Sequence, residues 1–90
     1  MKKLEIIHLR LAGNPPAALV EQIHASIAAE GCPSEVRIYR HATVTTDLAI
    51  HLLSGNGGTC ASDLGLLLAE ALREHGMVEH TVWIEERDDG

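Results

Sequence analysis

The sequence predicts an α+β fold: a four-stranded antiparallel sheet with two helices on one of its faces. Three observations carry that expectation. Four stretches alternate apolar and polar residues with the period of two of a half-buried strand. Two others repeat leucine, isoleucine or valine at helical spacing. Glycines stand where those helical patterns stop, as left-handed helix ends require.

In chain order, Leu4 to Leu11 (LEIIHLRL) places Ile7, Leu9 and Leu11 on one side and Ile6, His8 and Arg10 on the other. Asn14 can cap a helix and Pro15 suits its first turn, having no amide hydrogen to leave unpaired. A helix over about Pro15 to Glu30 follows, with Leu19, Ile23 and Ile27 in line, Val20 beside them and Gly31 as its stop. Each of these side chains contributes roughly 1.5–3 kcal/mol when fully buried. Glu35 to Thr43 alternates Val36 and Ile38 against Arg37, Tyr39 and His41. Asp47 to Leu53 alternates Leu48, Ile50 and Leu52 against Ala49, His51 and Leu53, which makes a hairpin with one aliphatic face. Ser54 to Gly58 (SGNGG) breaks regular structure, and Thr59 or Ser62 caps a second helix lasting to His75, with Gly76 as its stop. Leu64, Leu67, Leu68, Ala71 and Leu72 are its expected buried stripe, and Leu66 lies off it. Val78 to Arg87 closes the order as a strand, Val82 and Ile84 on one face and Thr81, Trp83 and Glu85 on the other. This βαββαβ order is that of a ferredoxin-like plait, with strand order 4-1-3-2.

A chain of 90 residues makes one domain, 1–90. Folding at this size hides only roughly 60 to 65% of the surface the unfolded chain exposes. With no Phe, one Trp and one Tyr, the core is aliphatic and thin, so burial of a second face against another copy of the chain is expected. A formal charge of −6 repels nucleic acid and anionic membrane alike. Part of it sits in the terminal Glu85 to Gly90. No run approaches the ~20 apolar residues that span a bilayer. Glu5, His8 and Arg10 interrupt any signal-peptide core after Met1, and Cys32 and Cys60 are too few for a disulfide framework. A cytoplasmic protein is expected.

With the aliphatic sets turned to the helices, the other face carries Ile6, His8, Arg10, Arg37, Tyr39, His41, Ala49, His51, Leu53, Thr81, Trp83 and Glu85. A hairpin symmetric about Thr45 sets Tyr39 opposite His51 and, with mid-strand pairing elsewhere, forms a row Trp83, His8, His51, Tyr39. Flanking rows are Thr81, Arg10, Ala49, His41 and Glu85, Ile6, Leu53, Arg37.

In this element order, and in the Gly31-Cys32 junction after the first helix, the whole chain resembles the dimeric α/β-barrel superfamily, including its small antibiotic-biosynthesis-monooxygenase-like domains. The resemblance implies two sheets packed face to face, with a small organic ligand or haem in the space between sheet and helices. It carries no catalytic residue onto this chain.

Three readings of the face follow. His8, Arg10, Tyr39, His41, His51 and Trp83 can bind a planar or anionic organic molecule, the aromatics as walls, Arg10 as a clamp and imidazole as acid or base. Such a site suits a cofactor-independent monooxygenase-like or isomerase-like enzyme, and no cofactor is expected. The same mix suits a non-catalytic dimerisation or regulatory module, since aromatics and arginine are enriched at interfaces. His8, His41 and His51 can also offer imidazoles to a metal ion. Elsewhere, Ser54 to Thr59 can cradle an anion at a helix start but lacks a P-loop lysine and the dinucleotide spacing, so it is read as a connection. Cys32 and Cys60, at one end of the plait, are a redox pair or small buried hydrophobes. His24, His75 and His80 are read as structural or surface residues.

Overall fold

A computed structural model describes residues 2–13, 18–30, 35–55 and 62–86. The order is β1 (Lys3–Leu11), α1 (Leu19–Glu30), β2 (Glu35–Arg40), β3 (Asp47–Ser54), α2 (Asp63–Leu72) and β4 (Gly76–Ile84). The strands form one antiparallel sheet in the order β2-β3-β1-β4, which is the expected order counted from the other edge. No helix among the described residues is long and apolar enough to cross a membrane.

Alternation in β1 and β3 builds the core. Ile7, Leu9 and Leu11 join Leu48, Ile50 and Leu52 on one sheet face, and Leu19, Ile23 and Ile27 of α1 with Leu68, Ala69 and Leu72 of α2 cover them. Val36, Ile38, Leu64 and Val78 pack around this cluster. Both helices therefore lie on the same side, and among the described residues no helix covers the opposite face.

Several expected boundaries move. β2 ends at Arg40 rather than Thr43, because the chain turns there. α1 begins at Leu19; its expected Asn14 cap, Pro15 and the Gly31 stop lie outside the described residues, as do Cys32, Asn56 to Cys60 and Arg87. α2 ends at Leu72, where the expectation ran to His75. Gly76 is instead the first residue of β4, opposite Leu11, where a Cβ would stand 2.1 Å from the Arg10 carbonyl oxygen. The buried side of α2 is Gly65, Leu68, Ala69 and Leu72, whereas Leu67 and Ala71, expected inside, are exposed. The cause is a carboxylate on β1: Glu5 accepts from the Ser62 amide at 3.0 Å, and Gly65 is the residue turned toward it. Leu66 is exposed, off the buried side as expected.

Register also differs from the expectation. β2 pairs Arg37 with His51 and Tyr39 with Ala49. The hairpin is centred on Val44, not Thr45, because His41 Nδ1 accepts from the amides of Thr43 and Val44 at 3.1 and 2.9 Å while the Asp47 amide donates to the Val44 carbonyl at 3.0 Å. β4 pairs His8 with Glu79 and Leu4 with Trp83, since the short α2–β4 turn brings the chain back at Leu11. The rows on the open face are Glu79, His8, Ala49, Tyr39; Thr81, Ile6, His51, Arg37; and Trp83, Leu4, Leu53, Glu35. Beyond them lie Met77, Arg10 and Asp47.

Candidate functional site

Asp47 organises the open face. It opens β3, sharing the parity of Ala49 and His51, and its backbone is held on both sides: the carbonyl accepts from the His41 amide at 3.0 Å and the amide donates to Val44. Its side chain is only 7% exposed and Oδ2 lies 3.1 Å from His8 Nε2 and 3.6 Å from Arg10 Nε. The other oxygen, Oδ1, is buried with no hydrogen-bond partner among the described residues. A carboxylate only accepts, so Nε2 of His8 is the donor in this contact. Nδ1 in turn lies 3.9 Å from Oε2 of Glu79, the residue opposite His8 on β4. Asp47, His8 and Glu79 thus form a chain of acid–base groups across three strands.

Grooves run along both sides of it. One of about 340 Å³ is lined by His8, Arg10, Met77, Val78 and Glu79. A second of about 220 Å³ touches His8, Tyr39, His41 and Asp47. A third of about 210 Å³ has Leu4 and Leu53 as an apolar base, with Tyr39, His51, Arg37 and Glu35 around it. Tyr39 and His51 meet edge-on there, ring centroids 4.8 Å apart at 61°, a diagonal neighbour contact rather than the direct pairing expected. Arg37 Nε donates to Glu35 at 2.7 Å; that carboxylate holds the guanidinium pKa above its ordinary value, with Tyr39 adding to the effect.

Of the six predicted site residues, His8 and Arg10 share one groove, His8, Tyr39 and His41 a second, and Tyr39 and His51 a third. His41 serves its own turn through Nδ1. Trp83 stands apart, paired with Leu4, its Nε1 donating to Thr81 Oγ1 at 2.9 Å. The three imidazoles do not converge, and among the described residues no three His, Cys, Asp or Glu side chains are grouped to hold a metal ion. The expectation that Glu85 is the sole acidic group on this face is overturned by Glu35, Asp47 and Glu79. All three were visible by counting in twos from Tyr39, His51 and Trp83.

No family model, curated protein or solved structure matches this chain.

A second polar cluster lies on the helix side. Glu5 is 2% exposed, accepts from His80 Nε2 at 2.9 Å and from the Ser62 amide, and stands 3.8 Å from Lys3 Nζ. Burial pushes its carboxyl up, but the donors from Ser62 and His80 and the charge of Lys3 together outweigh burial and hold it below the usual carboxylate range. Ser62 Oγ meanwhile accepts from the Gly65 amide at 3.0 Å, capping α2. The sequence signal for this cluster was an acidic residue inside the aliphatic set of β1. Its placement makes it a structural anchor for the start of α2.

Proposed function

We propose that the open face is where two copies of a single ferredoxin-like domain meet, in the manner of a dimeric α/β barrel, enclosing grooves that take a small organic ligand. One observation carries this reading. Trp83, Met77 and Tyr39, 58%, 74% and 45% exposed, share the helix-free face with half-buried Leu4, Ile6 and Leu53. A clustered apolar face with polar groups between its members is the composition of an interface or ligand site. Its size fits too: four strands ~4.8 Å apart, with a central strand of nine residues rising ~3.4 Å each, make a layer of roughly 19 by 30 Å. That is of the order of the ~800 Å² each partner of a stable complex buries.

Within such a dimer the grooves beside His8 become enclosed. Arg10 and His8 then supply charge and hydrogen bonds, and Met77 and Tyr39 apolar walls. The test is sedimentation equilibrium together with native mass spectrometry of whatever co-purifies, on the wild type and on Arg10→Ala and His51→Ala. Dimers that keep assembling but lose a bound compound support the reading. Loss of assembly with no compound at any stage favours a non-catalytic dimerisation module, and a wild-type chain that stays monomeric at high micromolar concentration refutes the face-to-face arrangement.

A further inference from the structure

We infer that His8, positioned by Asp47, is the acid–base residue of this face, and that its substrate class is a small 2-oxo carboxylate with an enolisable C–H. The inference rests on the preceding reading of the face as a ligand site.

Asp47 presents a carboxylate that is 7% exposed, with one oxygen on His8 Nε2 and the other buried without a hydrogen-bond partner among the described residues. A buried acid tolerated with an unsatisfied oxygen calls for an explanation beyond stability. Orientation of a neighbouring imidazole supplies one: the contact selects the tautomer and supports the imidazolium that forms when Nδ1 takes a proton. His8 lines the groove of about 340 Å³, and its Nδ1 lies 3.9 Å from Glu79 Oε2, which lines the same groove. With Nδ1 unprotonated, as a base requires, both atoms accept, so a ligand group that contacts either of them must donate. An enol hydroxyl does so, and a carbon acid gives its proton to the same nitrogen.

The remaining lining residues complete the class. Among the described residues Arg10 has its ion-pair contact through Nε, to Asp47, and the side chain is 65% exposed, so its outer nitrogens are placed for a carboxylate. Met77 and Val78 offer an apolar wall for the rest of the molecule. In the step, the C3–H bond breaks as Nδ1 takes the proton, and the electron pair forms the C=C bond. The carbonyl oxygen then takes a proton from the imidazolium and becomes the enol hydroxyl, which donates to Glu79. The base is reset, so the reaction is a tautomerisation with no oxidant, reductant or cofactor. Glu79 favours the enol over the ketone, which lacks a hydrogen to donate, and this is differential binding of the kind that catalysis requires.

The probe is phenylpyruvate, its C3 deuteration in D2O followed by proton NMR with the full chain. Wild-type protein is expected to accelerate exchange, His8→Gln to lower the rate by about 100-fold or more, and Arg10→Gln to raise KM about tenfold with kcat largely kept. Asp47→Asn, which can donate to Nε2, is expected to convert His8 toward the Nδ1–H tautomer in its ¹⁵N shifts, a signature that loss of packing alone does not produce. Circular dichroism melts confirm that each variant is folded. Exchange no faster than in buffer, or exchange retained in His8→Gln, overturns the inference. Phenylpyruvate that shifts the Met77 and Val78 signals without exchanging overturns the proton transfer alone. A monomer that binds nothing overturns the ligand-site reading with it.

Discussion

His80 Nε2 and Glu5 Oε2 meet 2.9 Å apart under the start of α2, joining positions 75 residues apart in the chain. With Ser62 on the same carboxylate, this contact ties β1, β4 and α2 together at one point. It also decides which side of α2 faces inward.

Gly65 is where the contact is most exposed to test. A Cβ there would stand 2.0 Å from Glu5 Oε2 and 3.0 Å from His80 Nε2. A free carboxylate end would swing aside, but this one is pinned by Ser62 and His80. Gly65→Ala is therefore expected to destabilise by about 1–3 kcal/mol, as overpacking does. In an unconstrained helix interior the same change stabilises by about 1 kcal/mol. The sign of the midpoint shift in urea unfolding distinguishes the two.

Stability should depend on Glu5 ionisation. Its folded pKa lies below the ordinary value of a glutamate, so its contribution is present above that ordinary value and is lost as pH falls through the lower folded one. Urea midpoints of the wild type should fall as pH drops below about 4.5, and those of Glu5→Gln should lose that part of the slope. Equal slopes in the two proteins would refute the assignment.

At Gly76 the obstacle is backbone, since a Cβ would meet the Arg10 carbonyl oxygen at 2.1 Å and Leu11 Cα at 3.0 Å. Neither can rotate away while β1 stays paired. Gly76→Ala is expected to cost about 3 kcal/mol or more and to raise amide exchange across the β1–β4 ladder.

The hairpin turn depends on an imidazole. His41→Ala removes the acceptor for the amides of Thr43 and Val44, and because the turn is exposed and water substitutes, the loss should be about 0.5–1.5 kcal/mol. His41→Asn keeps a local side-chain acceptor and should recover most of it. Thermal unfolding of the two variants checks the difference.

Trp83 is the sole tryptophan of the chain and reports on the open face. Its indole N–H is already satisfied by Thr81, so the ring can be buried without stranding a donor. Emission should move to shorter wavelength as concentration rises through the association range. In the proposed dimer, Trp83→Ala should raise the dissociation constant by about 30-fold, a hot-spot loss of about 2 kcal/mol. Emission independent of concentration would remove Trp83 from the interface.

The chain's own pattern determined the element order, the aliphatic faces of β1 and β3 and the side of the sheet on which His8, Arg10, Tyr39, His51 and Trp83 lie, because side-chain parity is local and each strand states it in a few residues. Tertiary structure alone decided who stands next to whom. Register is set by turns that close elsewhere: His41 tightening the hairpin moved Tyr39 from His51 to Ala49, and the early return of β4 at Gly76 put Glu79, not Trp83, opposite His8. The inward side of α2 was likewise chosen by Glu5, a residue 57 positions from the Ser62 amide it accepts. Contacts at such separations are fixed by chain closure and packing, which periodicity does not encode, and on them rest both the Asp47–His8–Glu79 chain and the anchor beneath α2.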